Sequence, residues 1–301
     1  MSERIDGILN IDKPSGITSM DVVRRIKRAS NQKRVGHGGT LDPFASGIVP
    51  ICLGRATRMM EYLVDGTKEY HATVRLGVET DTYDVDGEVI EERDASEIEI
   101  DTIRQAIKPF VGMIEQVPPM FSALKKDGER LYNMARAGIE VEREPRSVHV
   151  IGIDVVDWSP PDLIIDVTCG RGFYMRSLAH DLGEVLGCGG HLRELTRTRN
   201  SAFHIDQALS LEEAETCFAD GTWRDVLHSP DIAVRSMPAI VVDKGVAERV
   251  SNGRPLPGAL KIPFDRPGEE CRVYGGDGEF LALMTFDRSE GQWQPKKVFT
   301  T

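Results

Sequence analysis

Asp42 stands near the end of Gly36-His37-Gly38-Gly39-Thr40-Leu41-Asp42-Pro43, a segment whose residue types suit close approach of a ligand to the main chain. Three of its first four residues are glycine, which opens backbone angles closed to other residues. Pro43 fixes its own φ and pushes Asp42 toward an extended conformation. An apolar run punctuated by Gly47, Pro50 and Gly54 follows and ends in Arg55-Ala56-Thr57-Arg58. A carboxylate in a glycine-rich loop, beside such a run and near arginines, is a candidate nucleophile or base. On this segment alone, a turn aspartate that bonds its own backbone is the simpler reading.

Other elements must position that carboxylate. Tyr70-His71-Ala72-Thr73-Val74-Arg75-Leu76 alternates as a strand, with Tyr70, Ala72, Val74 and Leu76 on the core side. Taken alone, Tyr70 is a buried structural tyrosine. Residues 163–169 form a second strand candidate that turns at Gly170-Arg171-Gly172 into a helix. That helix carries Met175, Leu178, Ala179, Leu182, Val185 and Leu186 on its apolar stripe. Arg176 falls in its first turn, off the stripe. A helix start is electropositive, so an arginine there calls for a carboxylate partner. Thr18 with Asp21, and Ser210 with Glu213, mark two further helix starts, and residues 101–111 read as a short helix. Asp84-Val85-Asp86-Gly87 does not fit a calcium loop, which would begin at Thr82 and end at Arg93.

The chain has 301 residues, enough for one large domain and a small one. It is 40% apolar and 28% charged, an ordinary globular composition. No apolar run reaches the length of a membrane span, and the charged start does not read as a secretory signal. Five cysteines without a Cys-x-x-Cys pair predict free thiols in a cytoplasmic protein, with no disulfide framework and no zinc site. No metal or other cofactor is expected. A net charge of −11 argues, taken alone, against a nucleic-acid partner. The charge is uneven, however. Residues 79–101 hold eleven acids against Arg93, whereas residues 24–34 carry Arg24, Arg25, Lys27, Arg28, Lys33 and Arg34 without an acid. Electrostatic reach in physiological salt is about 8 Å, so a basic face can serve on an acidic protein. The acidic stretch is then expected to face away from any bound nucleic acid.

Gly36 to Pro43, with its continuation to Arg58, resembles the catalytic-aspartate motif of the TruB family of tRNA pseudouridine synthases. Four more segments fall in that family's order. They are residues 7–16 around Asp12-Lys13-Pro14, Lys68-Glu69-Tyr70, Gly77 with residues 80–87, and residues 169–178 with Asp181-Leu182-Gly183. The likeness spans about residues 7–203. Gly38 stands where the family usually has Thr, and Asn200-Ser201-Ala202 replaces its more usual Ser-Gly.

The resemblance implies an α+β fold of the pseudouridine-synthase type. A mixed, mainly antiparallel central sheet is flanked by helices over residues 1–232, with an RNA-gripping insertion at about 120–147. Residues 237–301, rich in Gly and Pro between short apolar runs, resemble more weakly a small β-rich PUA domain that adds RNA affinity and leaves the chemistry intact. The implied reaction is isomerisation of uridine 55 in the tRNA T-arm to pseudouridine after base flipping. Asp42 would attack the ribose or the ring, or promote elimination. Arg176 would pair with Asp42 and orient it. Tyr70 would stack on the uracil and take the C5 proton. His37 would contact the flipped nucleotide or fill its place in the stack, and Tyr174 and Leu195 would line the pocket. The RNA would be held by Arg24, Arg25, Arg28, Lys33, Arg34, Lys125, Lys126 and Arg130. The implied protein is a monomer whose partner is tRNA, with no obligate protein partner and no membrane. A non-catalytic RNA-binding module of the same fold would have no need of Asp42, Tyr70 and Arg176. A hydrolase would show a second carboxylate or a metal-ligand set.

Overall fold

The computed structural model describes residues 3–299 except 123, 127, 140 and 258–268. The side chains of Lys125, Lys126, Arg130 and Arg136 are also outside the described set, so the expected RNA contacts of the first three lie beyond it.

The chain opens with β1 (Gly7–Lys13), α1 (Ser19–Ser30), β2 (Val35–His37), β3 (Ser46–Leu53), α2 (Met60–Asp65) and β4 (Lys68–Leu76). A hairpin of β5 (Val78–Thr80) and β6 (Val89–Glu92) leads to α3 (Ile100–Ile107) and β7 (Gly112–Gln116). The insertion holds β8 (Lys125–Lys126), β9 (Glu129–Arg130) and α4 (Leu131–Arg136). Then come β10 (Arg146–Ser159), β11 (Asp162–Cys169), α5 (Met175–Leu186), β12 (Gly190–Asn200), β13 (Phe203–His204), β14 (Leu209–Ser210) and α6 (Leu211–Asp220). The tail comprises β15 (Ala239–Val241), α7 (Lys244–Ser251), β16 (Leu256–Pro257), β17 (Glu270–Tyr274), β18 (Phe280–Asp287) and β19 (Gln292–Val298).

The main sheet runs β14-β1-β3-β12-β4-β11-β10-β7, with β2 added to β3 and β13 to β12. β1–β14 and β3–β12 are parallel, and the other pairs are antiparallel. The expected mixed, mainly antiparallel sheet is present. Helices α1, α5 and α3 bury Val22, Val23, Ile26, Leu178, Ala179, Leu182 and Ile103 against it. Both expected capping boxes form, at Thr18 with Asp21 and at Ser210 with Glu213. α3 stops earlier than residue 111 because Pro109 cannot donate to a further α-turn, and Lys108–Phe110 tightens to a 3-10 turn. On α5, Val185 departs from the expected stripe and is 60% exposed.

β3 explains where the Asp42 loop is placed. Its start pairs with β12 at Ser46 and Gly47, and its end pairs with β2 from Ile51 to Leu53. Between these partners the carbonyls of Ile48 and Pro50 would be left over. The Arg197 Nε–H donates to the Ile48 carbonyl at 2.7 Å, and the Gly38 amide donates to the Pro50 carbonyl at 2.8 Å. Pro50, which has no N–H to offer, falls in the gap where no strand asks for one. The loop carrying Asp42 therefore crosses the sheet where β3 changes neighbours. Gly47 is required there: its φ is 103°, and a Cβ would lie 2.3 Å from the Arg197 carbonyl oxygen.

The tail forms its own five-stranded sheet, β15-β17-β18-β19-β16, around buried Val273, Ala282, Met284 and Trp293. It is not a loose appendage. Phe280, Leu283 and Phe299 share a second core with Ile48, Met59, Leu63 and Phe203 of the main domain. Tyr62 donates to Glu270 at 2.6 Å, and Arg58 donates to the Val298 carbonyl at 2.6 Å. Removal of the tail would therefore uncover apolar surface beneath the Asp42 loop. Among the described residues no helix is long and apolar enough to cross a membrane.

Candidate active site

A cleft of about 340 Å³ opens over β4, β12 and the start of α5. Its lining includes Asp42, Tyr70, Tyr174, Arg176, Leu195 and Arg197. The fold thus brings together five of the six residues expected to touch substrate or do chemistry. Larger hollows of about 490 and 540 Å³ lie elsewhere and hold none of them.

Arg176 is 4% exposed, whereas a third of the Asp42 side chain stays open to the cleft. The Arg176 Nη2–H donates to Asp42 Oδ1 at 3.2 Å and to the Phe121 carbonyl at 2.9 Å. Nε lies 2.9 Å from Oδ2, a charge contact without hydrogen-bond alignment. The carboxylate therefore faces a guanidinium instead of capping its own turn. A second carboxylate completes the arrangement: Asp84 Oδ2 is 3.4 Å from Arg176 Nη1. Asp84 is 5% exposed, and its pKa is raised mainly by burial, against the opposing pull of Thr82 and Arg176.

Asp84 corrects two expectations. The acidic stretch does not wholly face away from the site, because the turn after β5 packs against α5. A second carboxylate is present after all, yet it lies behind Arg176 and outside the cleft lining, where it cannot act on a bound group.

The loop itself is fixed from several sides. Ser19 Oγ donates to the Leu41 carbonyl at 3.0 Å and accepts from the Leu41 amide at 2.9 Å. Fully buried Lys13 donates to the carbonyls of Pro14 and Ile17 at 2.9 Å and to that of Pro43 at 3.2 Å. Burial, with Arg197 adding to it, pushes the Lys13 ammonium down to about 8, while Asp42 pulls the other way. Arg197, 1% exposed, donates to the carbonyls of Thr40 and Gly39 at 3.1 and 3.2 Å. Its charge is answered by backbone dipoles of the loop. Asn200 donates to the Gly38 carbonyl at 3.2 Å, and a Cβ on Gly38 would meet Leu63 at 2.6 Å. The two departures from the family pattern are thus in direct contact.

Tyr70 projects from β4 onto the apolar core and into the cleft, as its strand parity requires. Burial, with smaller contributions from Cys169 and Asp42, raises its phenol pKa against the Arg197 cation, so the hydroxyl stays protonated at neutral pH. Tyr174 precedes α5, fixed by a reciprocal pair with Gln116: its amide donates at 2.9 Å and its carbonyl accepts at 3.0 Å. Leu195 of β12 is 6% exposed and lines the cleft. His37 ends β2 beside the loop and is not part of the lining; burial, then the Arg197 charge, lowers its pKa.

The expected basic face is partly engaged within the protein. Arg25 bonds Glu215 of α6 at 2.5 Å and Glu212 at 3.1 Å, and Arg24 bonds Asp21 at 2.5 Å. Arg28, Lys33 and Arg34 are exposed. Sequence reasoning missed Lys13, Asp84 and Arg197, and also Arg171 on the cleft wall, where Arg146 of the expected insertion stands too. Only Asp84 had a local signal, the need of a helix-start arginine for carboxylate company.

Glu79, His180 and Glu184 bring polar atoms within 4.8 Å of one another beyond the cleft. Arg93 lies 3.9 Å from Glu184 and His180 lies 3.4 Å from Glu79, so this is an ion-pair cluster with its own cations.

With this geometry in place, comparison with known proteins is decisive. The chain matches the model of the TruB family pseudouridylate synthase N-terminal domain over residues 27–175. It matches that of the tRNA pseudouridylate synthase B C-terminal domain over residues 176–235. It is 43% identical to tRNA pseudouridine synthase B of Dehalococcoides mccartyi strain CBDB1, covering 98% of this chain and 97% of the relative. The chain belongs to the TruB pseudouridylate synthase family. Another TruB-family relative, tRNA pseudouridine synthase B of Thiobacillus denitrificans, is 42% identical over 99% of this chain and 97% of its own. Among solved structures, a chain of a Cbf5–Nop10–Gar1 complex superposes with a TM-score of 0.75 at 28% identity, covering 98% of this chain and 85% of that one. A chain of an H/ACA RNP bound to a substrate RNA containing 2′-deoxyuridine gives a TM-score of 0.75 at 26% identity, with the same coverage. The TruB-family chain therefore has the pseudouridine-synthase fold expected from its motifs.

Proposed function

We propose that this chain converts uridine 55 in the T-arm of tRNA to pseudouridine, with Asp42 as the essential carboxylate. The observation that carries this reading is the Asp42–Arg176 pair, which opens onto a cleft walled by Tyr70, Tyr174 and Leu195. The names of its relatives support tRNA as the substrate class. A base stacked in a folded arm cannot reach a carboxylate, so the uridine is flipped out at a cost of a few kcal/mol. Stacking on the Tyr70 ring offsets part of that cost. Asp42 then promotes cleavage of the N1–C1′ bond, the base turns in the cleft, and a C5–C1′ bond forms. The proton lost from C5 is balanced by the one gained at N1, so nothing is consumed. A protonated Tyr70 serves better as a stacking platform than as the base for the C5 proton. Arg146 and Arg171 on the cleft wall, with exposed Lys33 and Arg34, contact phosphates. The chain acts as a monomer, with tRNA as its partner.

The test is to incubate the protein with unmodified tRNA transcript and map pseudouridine by carbodiimide modification and primer extension. The expected result is a single modified position at 55, absent from a transcript carrying cytidine there. Product at another position, or none with folded protein, would overturn the reading.

A further inference from the structure

His180 lies one helical turn beyond Arg176 on α5, and its ring stacks on Tyr83 with centroids 3.9 Å apart and planes at 27°. Its Nδ1 is 3.0 Å from Asp181 Oδ1, and its Nε2 is 3.4 Å from Glu79 Oε1. Tyr83 directly precedes Asp84, the second carboxylate on Arg176. Tyr83 has a φ of 64°, a left-handed conformation that is rare for an aromatic residue. Such a backbone persists only where its surroundings over-determine it. The main chain supplies part of that hold. The Tyr83 amide donates to the Thr80 carbonyl at 3.2 Å, and the Leu192 amide donates to the Tyr83 carbonyl at 3.0 Å. Thr80 Oγ1 donates to the Asp84 carbonyl at 2.8 Å, and Thr82 Oγ1 donates to Asp84 Oδ1 at 2.5 Å. The ring stack fixes the side chain on the remaining face.

We propose that His180 is a positioning residue for the reaction: held by Asp181 and Glu79, it clamps Tyr83 so that the 80–84 turn presents Asp84 to Arg176, which orients Asp42. This rests on the reading of Arg176 as the group that orients Asp42. The groups facing the imidazole are Asp181 and Glu184 of its own helix, Glu79 of β5 and Tyr83 of the turn. Arg93 stands 3.9 Å from Glu184, and Arg143 bonds the Tyr83 hydroxyl. Burial works to lower the His180 pKa, but Asp181, Glu79 and Glu184 together outweigh it and hold the ring above the ordinary histidine value. In its cationic form the ring is held between Asp181 and Glu79 and so is fixed against Tyr83. It loses that hold as pH rises through the raised pKa.

The test combines kinetics with hydrogen exchange on the full chain. Rates on unmodified tRNA transcript are measured from pH 6 to 9 for wild type, His180→Ala, Asp84→Asn and the double variant. His180→Ala is expected to lower kcat about tenfold with KM within about twofold, as for a group acting on transition-state geometry. In the Asp84→Asn background the same change should cost less than about twofold, because both act through one contact. The alkaline fall of wild-type kcat should lose one ionisation in His180→Ala. Amides of residues 80–86 should exchange faster in His180→Ala while those of α5 do not. Independent, multiplying effects of His180 and Asp84, or unchanged exchange at 80–86, would overturn the proposal. If wild type forms no pseudouridine at all, the proposed function fails, and the exchange measurement still decides the role of His180.

Discussion

Asp42 and Arg176, separated by 134 residues of chain, meet through two nitrogens and two oxygens, with Nε 2.9 Å from Oδ2 and Nη2 3.2 Å from Oδ1. One partner is buried and the other half-open, so the charge that could react points into the cleft while its counter-charge is locked behind it. The lock is Asp84 at 3.4 Å together with the Phe121 carbonyl at 2.9 Å.

Arg176→Lys is predicted to lower kcat roughly 10²-fold, because an ammonium cannot reach Asp42, Asp84 and the Phe121 carbonyl from one planar fork. Asp84→Asn should produce a smaller loss in the same direction. Steady-state kinetics on tRNA transcript check both, and wild-type turnover in Arg176→Lys would remove the orienting role.

Lys13 predicts a pH dependence of stability. Its folded pKa of about 8 lies below the ordinary 10.5, so between those values the unfolded chain holds the proton more tightly. Stability therefore rises with pH across this window as the penalty of a buried ammonium is relieved. Lys13→Met should reduce that slope by up to ~1.4 kcal/mol per pH unit. Urea denaturation between pH 8 and 10 measures it, and an unchanged slope would mean that the buried ammonium is not the source.

Gly38→Thr restores the residue type usual in the family, yet here it should destabilise by about 1–3 kcal/mol, since the new Cβ meets Leu63 at 2.6 Å. Adding Leu63→Val should recover part of the loss. Thermal unfolding of the single and double variants decides, and a neutral Gly38→Thr would show that Leu63 can move aside.

The shared core between the domains makes the tail a stability element. Phe280→Ala should cost about 3–5 kcal/mol by denaturation. If the tail were an independent RNA module, the main-domain transition would not move.

The motif order and the local signals made much of this legible. Glycine spacing around Asp42, alternation from Tyr70 and the cap at Thr18 each act within a few residues and appear as read. Lys13, Asp84 and Arg197 were not legible as site residues, because each gains its role from a partner dozens of residues away. Lys13 reads as the polar end of a strand until the Pro43 carbonyl arrives 30 residues later. Pro50 read only as punctuation of an apolar run, and the change of partners along β3 gives it its place in a strand. Arg25 read as a free basic residue until α6 supplied Glu212 and Glu215. The tail's junction was hidden for the same reason: Phe280, Leu283 and Phe299 look like an ordinary tail core until Met59 and Leu63 cover them.

Asp42→Asn tests the central claim most directly, since it removes the negative charge and almost no volume. Wild type and variant are compared for tRNA binding by filter retention and for pseudouridine at position 55 by primer extension after carbodiimide treatment. The account predicts affinity within a few-fold of wild type and no detectable product from the variant. Near-normal turnover by folded Asp42→Asn would contradict it.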